Sequence, residues 1–357
     1  MSAERPVLSV TGLAVSFSGG AARGRGGAGS GTRVAAVGEA SWGVHAGQML
    51  AIVGESGSGK SVTALAAMGL LPRGARVDEG EIRLRTWGRD WELCRAGAEE
   101  MRQVRGKHLA MIFQEPMTSL NPVMAVGEQI EEVIRLHRPE MKRNVREAAM
   151  EALSAVKIDE PARRLKQFPH ELSGGMRQRV MIAMAVASQP AVLLADEPTT
   201  ALDVTVQARI LELLGELRSQ RGMAVVLITH DLGVVADHAD VTCVMFGGRV
   251  LEFGRTREVL ARPVHPYTRA LLACRPSVQR RVERLATVGE LIGAEGKSSM
   301  MAQGERLAMW WPFAAAPSGC GDDDAPVLVQ VEQERWAAVW GTEAAQRLRV
   351  KEAPQLR

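Results

Sequence analysis

Several features that are scarce or missing limit the possible functions of this chain before any motif is considered. Only four cysteines occur among 357 residues, and they are dispersed, without a C-x-x-C pair. Dispersed cysteines argue against a disulfide framework and against a zinc site, and they suit a reducing compartment. The formal net charge of +3 is too small to indicate a nucleic-acid-binding surface.

Long apolar runs are also missing. No uncharged apolar stretch approaches the ~18 residues that a membrane-spanning helix needs. Residues 1–6 lack the basic-then-apolar order of a signal peptide. If the protein acts at a membrane, we therefore expect another chain to span it. The 46% of hydrophobic and 24% of charged residues are ordinary for a globular protein, and the length suits one large α/β domain with an appendage.

The most informative segment is a glycine-rich loop between the strand pattern of residues 49–53 and the helical pattern of residues 62–68. This phosphate loop reads Gly54-Glu55-Ser56-Gly57-Ser58-Gly59-Lys60-Ser61. Its glycines allow a tight turn that aims backbone N–H groups inward, and the helix N-terminus adds partial positive charge. We therefore expect the loop and Val62 to bind a nucleotide, with Lys60 on the β- and γ-phosphates and Ser61 on Mg²⁺.

The chain before the phosphate loop predicts a small antiparallel sheet. Short strands are expected at residues 7–11, 13–17, 34–37 and 40–44. Phe17 lies where its ring can stack on a nucleotide base, and burial in the core explains it equally well. Residues 18–32 are largely glycine, alanine, arginine and serine, which predicts a mobile loop; phosphate or lipid contact by its arginines is the alternative.

Polar side chains follow three further apolar strand patterns. They are Gln114, the adjacent Asp196 and Glu197, and His230. Because the carboxyl ends of parallel strands meet at one sheet edge, we expect these side chains to converge there. Adjacent carboxylates repel each other without a cation, so Asp196 is predicted to hold Mg²⁺ and Glu197 to orient or deprotonate the attacking water. Gln114 is expected to coordinate Mg²⁺ or position a water, although each lone Gln or His could equally be a solvated or structural residue.

A helical pattern covers about residues 116–187 and is expected to dock a partner. Near its end, Ser173 is a good N-cap, and Gly174 and Gly175 leave backbone N–H groups open. This is a second anion-binding helix start, with an ordinary capped helix as the alternative. One chain has little use for two such starts unless two copies share one nucleotide.

In this order the motifs resemble the nucleotide-binding subunits of ABC transporters. They are the phosphate loop, the loop glutamine Gln114, the signature segment Leu172-Ser173-Gly174-Gly175, the pair Asp196-Glu197, the D-loop residue Asp203 and the switch histidine His230. The resemblance covers residues 7–272. It implies an α/β P-loop NTPase core with an antiparallel β subdomain and an inserted helical subdomain. It also implies head-to-tail dimers in which Ser173, Gly174 and Gly175 act in trans on the γ-phosphate, and catalysis by Glu197, His230 and Gln114.

Finer strings resemble the oligopeptide/dipeptide importers. They lie at residues 54–63, 113–122 and 262–272. The resemblance implies an ATPase using ATP and Mg²⁺, peripheral to the cytoplasmic face of the cell membrane and bound to transmembrane permease subunits. An extracytoplasmic solute-binding protein would act indirectly. The string after Gln114 resembles the first of two nonidentical ATPases, so the resemblance implies a second ATPase subunit in a heterodimer or a homodimer.

The C-terminal part departs from this family pattern. Many members carry closely spaced cysteines there that are associated with an iron–sulfur cluster, whereas only Cys274 and Cys320 occur here, so we predict no cluster. Residues from about 276 onward match nothing in the pattern. The tryptophans at 310 and 311 are expected to pack this tail onto the domain or onto a partner. We therefore expect an ATPase domain at 1–272 and an extension of unknown role at 273–357.

Two rival functions are weighed against the importer. A soluble ABC-type ATPase acting on nucleic acid or ribosomes usually has a long coiled-coil insertion or two cassettes in one chain, and neither pattern is present. A nonhydrolytic regulatory cassette is disfavoured because the predicted catalytic and metal-binding residues are intact. Steady-state ATP hydrolysis with and without reconstituted permease separates these functions, and we expect no nucleic-acid partner.

Overall fold

The computed structural model describes residues 5–18, 33–114, 119–200, 202–274, 299–302, 305–310, 326–342, 345–346, 348 and 354. The predictions made for residues 19–32, for the string at 115–118, and for Trp311 and Cys320 fall outside these ranges.

The described residues alternate between strands and helices. In chain order the strands are β1 (Leu8–Ser18), β2 (Arg33–Val44), β3 (Met49–Val53), β4 (Ala75–Thr86), β5 (Arg89–Glu92), β6 (Leu109–Ile112), β7 (Val192–Asp196), β8 (Ala224–Thr229), β9 (Val241–Phe246), β10 (Arg249–Arg255), β11 (Ser299–Ala302), β12 (Glu305–Ala308), β13 (Val327–Glu332) and β14 (Arg335–Val339). The α-helices are α1 (Lys60–Ala67), α2 (Ala98–Val104), α3 (Val126–His137), α4 (Val145–Ala155), α5 (Pro161–Arg164), α6 (Gly174–Ala187), α7 (Val204–Arg221), α8 (Leu232–His238), α9 (Thr256–Ala261) and α10 (Pro266–Ala273). None of these helices is long and apolar enough to cross a bilayer.

The predicted antiparallel sheet is present, with strand order β2-β1-β4-β5. The prediction of separate short strands within it is wrong, because residues 7–17 and 34–44 each form most of one long strand. Gly12 in β1 and Glu39 in β2 have positive φ values of 59° and 67°. The β1–β2 register shifts nearby, so local bulges bend each strand without ending it.

The main sheet positions the site. Its strand order is β13-β14-β10-β9-β3-β8-β7-β6, and the pairs from β9 to β6 are parallel. The carboxyl ends of β3, β6, β7 and β8 therefore meet at one edge. Short apolar runs without alternation form these strands because both faces of the sheet are covered.

Alternate residues of β7 show how the two faces are covered. Val192 and Leu194 pack in one hydrophobic cluster with the antiparallel sheet and α1. Leu193 and Ala195 pack in a second cluster with α3, α4, α6 and α7. The predicted helical insertion is thus anchored on the face opposite the antiparallel sheet.

Part of the C-terminal tail joins the main sheet. Strand β14 pairs antiparallel with β10, and β13 pairs with β14. Trp310 is buried and its backbone N–H donates to Ala338 O at 3.2 Å, so the expected packing of this tryptophan onto the domain is confirmed. The division of the chain at residues 272 and 273 stays a prediction.

Candidate functional site

The phosphate loop connects β3 to α1 and is held by its own lysine. Lys60 Nζ donates to Gly54 O at 2.9 Å, to Glu55 O at 2.8 Å and to Ser58 Oγ at 3.2 Å. Only 6% of Lys60 is exposed, and burial lowers the pKa of its ammonium although nearby carboxylates oppose that shift. The loop therefore encloses a desolvated cation whose present oxygen partners phosphate oxygens can replace.

Close backbone contacts fix the shape of the loop. Gly59 has a φ of 94°, and a Cβ there would lie 2.7 Å from Ala36 O of β2, so only glycine fits. On the other side, the Gly248 N–H in the β9–β10 turn donates to Ser58 O at 3.1 Å. Strand β2 and this turn together enclose the loop.

Two oxygen ligands lie together at the start of α1 and the end of β7. Ser61 Oγ donates to Asp196 Oδ1 at 2.9 Å. Asp196 is only 5% exposed, and burial raises the pKa of its carboxyl, with the bond from Ser61 opposing this shift and the charge of Glu197 adding to it. A buried carboxylate beside a hydroxyl is the hard-oxygen environment that suits Mg²⁺.

The Glu197 carboxylate is held by three side chains. Its Oε2 accepts from Thr200 Oγ1 at 2.8 Å and from Gln114 Nε2 at 3.2 Å, and His230 Nδ1 lies 3.3 Å from its Oε1. Burial alone would raise the pKa of Glu197, but the hydrogen bonds from Thr200 and His230 outweigh it and the net pKa is lowered. The carboxylate is therefore ionised at neutral pH. Its φ of 45° costs a non-glycine residue about 1 to 2 kcal/mol, which is strain at the residue predicted to act on water.

The structure thus brings together the polar residues that follow the parallel strands and the phosphate loop. The signature segment lies elsewhere: in the described part of the chain no hydrogen bond or ion pair joins residues 173–175 to the phosphate loop or to the carboxylate pair. Ser173 Oγ accepts from Met176 N–H at 3.3 Å and caps α6. Ser173 and Gly174 are exposed, and a Cβ on Gly174 would meet nothing within 4 Å. This helix start is open to solvent.

The other two predicted site residues have ordinary local surroundings. Asp203 Oδ1 accepts from Val206 N–H at 2.9 Å and caps α7. Phe17 is half-buried near the end of β1, opposite Val34 of β2 and Ala75 of β4. The proposed roles of both residues stay predictions.

Three residues that support the site had no role assigned from the sequence. Thr200 bonds Glu197, and Gln178 Nε2 donates to Pro198 O at 2.5 Å in the same loop. Tyr267 Oη accepts from Glu55 N–H of the phosphate loop at 3.2 Å. A hydroxyl three residues after Glu197 was a usable signal for Thr200. Nothing local in the sequence indicates the contact of Tyr267, which joins residues far apart in the chain.

Comparison with known proteins gives the family. The family model for ABC transporters matches residues 37–200, and the model for the C-terminal region of oligopeptide/dipeptide transporters matches residues 251–297. A probable peptide ABC transporter ATP-binding protein of Sinorhizobium fredii is 46% identical over 306 residues, covering 85% of this chain and 89% of that protein. The glutathione import ATP-binding protein GsiA of Escherichia coli O157:H7 is 54% identical over 248 residues, covering 69% of this chain but only 40% of GsiA.

Solved structures agree with this. A dimeric structure of the ATP-binding cassette MJ0796 has a TM-score of 0.59 at 27% identity, covering 70% of this chain and 99% of that one. For cbiO1 of Clostridium perfringens, part of the ABC transporter complex cbiONQ, the TM-score is 0.57 at 26% identity, covering 72% and 92%. The match to the transporter C-terminal region favours the importer over the nucleic-acid rival. The chain therefore belongs to the oligopeptide/dipeptide family of ABC transporters, as an ATP-hydrolysing subunit of an importer.

Proposed function

We propose that this subunit drives the import of di- or oligopeptides by hydrolysing ATP in the site at the sheet edge. The observation that carries the proposal is the arrangement of the ionised Glu197 carboxylate beside the Ser61–Asp196 pair, at the same edge as the Lys60 loop. The peptide ABC transporter relative supports the solute class.

Each side chain has a role in this mechanism. Lys60 exchanges its loop oxygens for the β- and γ-phosphate oxygens, and residues 54–62 bind the rest of the triphosphate through backbone N–H groups. Glu197 accepts a proton from the attacking water, while His230 and Gln114 orient the carboxylate and the water. Phe17 stacks on the base.

Mg²⁺ fits the donors that are present. Ser61 Oγ and Asp196 Oδ1, which lie 2.9 Å apart, and Gln114 would hold it through oxygen atoms. Neutralisation would remove the cost of burying the Asp196 carboxylate. When bound, Mg²⁺ offsets the negative charge that develops on the β- and γ-phosphate oxygens. We propose no iron–sulfur cluster.

The active unit is a pair of ATPase subunits that enclose ATP between them. The exposed, capped start of α6 makes no ion pair or hydrogen bond with an anionic side chain in the described part of the chain, so Ser173, Gly174 and Gly175 contact the γ-phosphate bound by the partner, with Asp203 near the interface. The dimeric cassette MJ0796 supports such pairing. Hydrolysis removes the γ-phosphate that joins the two subunits, and the opening that follows drives the permease.

We infer from the family which other proteins this pair of ATPase subunits works with. The subunits bind transmembrane permease subunits at the cytoplasmic face of the membrane through the helical insertion at 116–187. A solute-binding protein delivers the peptide on the other side, and a second ATPase subunit, either another copy of this chain or a nonidentical one, completes the pair. Residues 1–272 form the motor domain, and residues 273–357 form an extension whose strands β13 and β14 lengthen its sheet.

Substitution of the proposed base tests the mechanism. Glu197→Gln keeps the size of the side chain but removes the proton acceptor, so we expect hydrolysis to fall by about 10²- to 10⁴-fold while MgATP binding persists. Steady-state phosphate release and equilibrium binding measure the two effects. Glu212→Gln makes the same change on the exposed side of α7 and should hydrolyse ATP normally. A Glu197→Gln variant that turns over at the wild-type rate would remove Glu197 from the mechanism.

A further inference from the structure

A hydrogen bond joins the start of the phosphate loop, at Glu55, to the start of α10, at Tyr267. Glu55 N–H donates to Tyr267 Oη at 3.2 Å, and Glu55 O accepts from Lys60 Nζ at 2.8 Å. Both polar groups of one peptide residue are therefore engaged, one by the lysine that faces the nucleotide and one by the tyrosine. The position of Glu55 O, and with it that of the lysine, depends on where Tyr267 lies.

Tyr267 is itself rigidly placed. Its side chain is fully buried, and its ring lies 4.8 Å from that of Phe246 at 53°. Burial raises the pKa of the hydroxyl far above its ordinary value, so the group is neutral at every physiological pH. An immobile, neutral hydroxyl is suited to fixing a neighbouring backbone and has no accessible chemistry of its own.

His265 fixes the start of the helix that carries Tyr267. Its Nδ1 accepts from Tyr267 N–H at 3.1 Å, which requires the proton on Nε2, and Nε2 lies 2.9 Å from Trp310 O. One imidazole tautomer therefore caps α10 and bonds the C-terminal tail at the same time. The Tyr267 N–H is therefore bound to an imidazole that the C-terminal tail holds in turn.

A buried ion pair holds the segment before His265. The Glu252 carboxylate accepts from Val264 N–H and from His265 N–H, each at 3.0 Å, and from Arg335 Nη2 at 2.7 Å. Glu252 and Arg335 are 0% and 1% exposed. Arg335 of β14 is thus linked through Glu252 to the segment that precedes Tyr267.

We propose that Tyr267 is a positioning residue for ATP binding, which holds the phosphate loop in the conformation that accepts the triphosphate. The inference rests on the proposed function, because it assigns the loop to MgATP. Without the hydroxyl, Glu55 N–H has no partner at this point, and the loop spends part of its time in conformations that do not bind. The apparent affinity falls by the fraction that remains competent.

Tyr267→Phe tests this with two readouts. The variant keeps the ring against Phe246 and removes only the hydroxyl. We expect amide hydrogen exchange at Glu55 to rise in the nucleotide-free protein, and the Kd for MgATP to rise about fivefold, the equivalent of one neutral hydrogen bond. Exchange is followed by mass spectrometry on peptides that end on either side of Glu55, and Kd by calorimetry.

Thr268→Val is the matched control. Thr268 is the next residue in α10, is fully buried, and its hydroxyl has no hydrogen-bond partner among the described residues. Removing that hydroxyl should leave both Glu55 exchange and the Kd unchanged. A Thr268→Val variant that weakens binding as much as Tyr267→Phe would assign the effect to disturbance of α10 and overturn the proposal.

The remaining outcomes are decisive as well. Unchanged Glu55 exchange in Tyr267→Phe would show that the bond does not hold the loop, and raised exchange with unchanged Kd would show that holding the loop does not matter for binding; either overturns the positioning role. If the wild-type protein fails to bind MgATP, the proposed function fails, and positioning for ATP binding fails with it. If the wild type binds and only the Tyr267 effects are absent, the proposed function stands and this inference alone fails.

Discussion

The ammonium of Lys60 is buried against oxygens of its own loop. In the proposed function, Lys60 exchanges these partners for phosphate oxygens when a triphosphate binds. We expect Lys60→Ala to raise the Kd for MgATP by about ten- to a hundredfold, the range for losing a charged hydrogen bond. Calorimetry measures this, with Lys166→Ala, at an exposed position, as the control. An unchanged Kd for MgATP in Lys60→Ala would contradict the proposal that Lys60 binds the phosphates.

In the proposed mechanism, Thr200 influences ATP hydrolysis through Glu197. Its hydroxyl donates the shortest of the hydrogen bonds to that carboxylate. We expect Thr200→Val to lower kcat about fivefold with little change in KM for ATP, because the carboxylate loses orientation and ATP loses no contact. Thr199→Val is the control in the same loop, since the Thr199 hydroxyl does not bond Glu197 in the described structure. A change confined to KM would argue against this role for Thr200.

Among individual residues, the sequence pattern predicted those whose place in the site is set by a local motif or by the end of a strand. Lys60 and Ser61 follow from the loop motif, and Glu197 follows from its place at a strand end. Tyr267 could not be predicted in the same way. Its contact with Glu55 depends on how α10 packs beside β3, which no local pattern in the sequence records.

Among the elements, β14 is joined to β10 by a buried ion pair between Arg335 and Glu252. We expect Arg335→Met to lower the free energy of unfolding by about 3 to 5 kcal/mol, because the Glu252 carboxylate stays buried without its cation. Urea unfolding measures this loss. The double variant Arg335→Met, Glu252→Gln should recover part of it, because it leaves no buried charge, although the single glutamine oxygen can accept only one of the N–H groups of Val264 and His265, which donate to different carboxylate oxygens. A double variant less stable than Arg335→Met alone would show that those two N–H groups matter more than the unpaired charge.

The cap of α10 makes stability depend on pH. Burial lowers the pKa of His265 from an ordinary 6.5 to about 4. The folded-state pKa is depressed, so this contribution is fully present above pH 6.5 and is lost as the pH falls towards 4, where only the unfolded chain takes up the proton. Between pH 7 and pH 5 the loss is about 2 kcal/mol.

The variant His265→Gln lacks the titrating group. In urea unfolding it should be less stable than the wild type at pH 7, and its stability should fall by about 2 kcal/mol less between pH 7 and pH 5. Equal pH dependence in the two proteins would mean that the pKa of His265 is the same in the folded and the unfolded chain, which would contradict the lowered folded-state pKa.

Parallel strands were the elements best predicted from the sequence. The side chains of apolar runs such as 49–53 and 224–229 point to both faces of a strand, so they are shielded from water only inside a sheet that is covered on both faces. The long strands β1 and β2 were predicted as fragments, because polar and glycine residues at positions 12 and 39 resemble turn signals. Whether such a residue ends a strand or bulges it depends on the partner strand, which is absent from a local pattern.

For the whole molecule, the main question is what the exposed start of α6 binds. A carboxylate at position 174, in the first turn of α6, is favoured by the helix dipole, and a Cβ added to Gly174 would meet nothing within 4 Å among the described residues. It would, however, repel a γ-phosphate presented by a partner. In the Glu197→Gln background we therefore expect Gly174→Glu to bind MgATP and keep its thermal stability but to stay monomeric.

Light scattering with MgATP gives the comparison. For a pair made of two copies of this chain, Glu197→Gln alone should double in mass, Gly174→Glu in that background should not, and Gly174→Gln, which adds the same bulk without charge, should dimerise better than the glutamate variant. Dimerisation of the Gly174→Glu protein at the same MgATP concentration as its parent would place the signature segment outside the interface.

The pairing of β14 on β10 has a practical consequence for anyone shortening this protein. A chain cut at residue 297, where the match to the model of the transporter C-terminal region ends, would leave the N–H and C=O groups of β10 between Glu252 and Gly254 without their neighbours. An uncovered edge of this kind recruits strands from other molecules. Expression trials should therefore retain the sequence to at least Val339. Precipitation of shorter versions would be evidence that the edge of the main sheet is uncovered, and not that the ATPase site is defective.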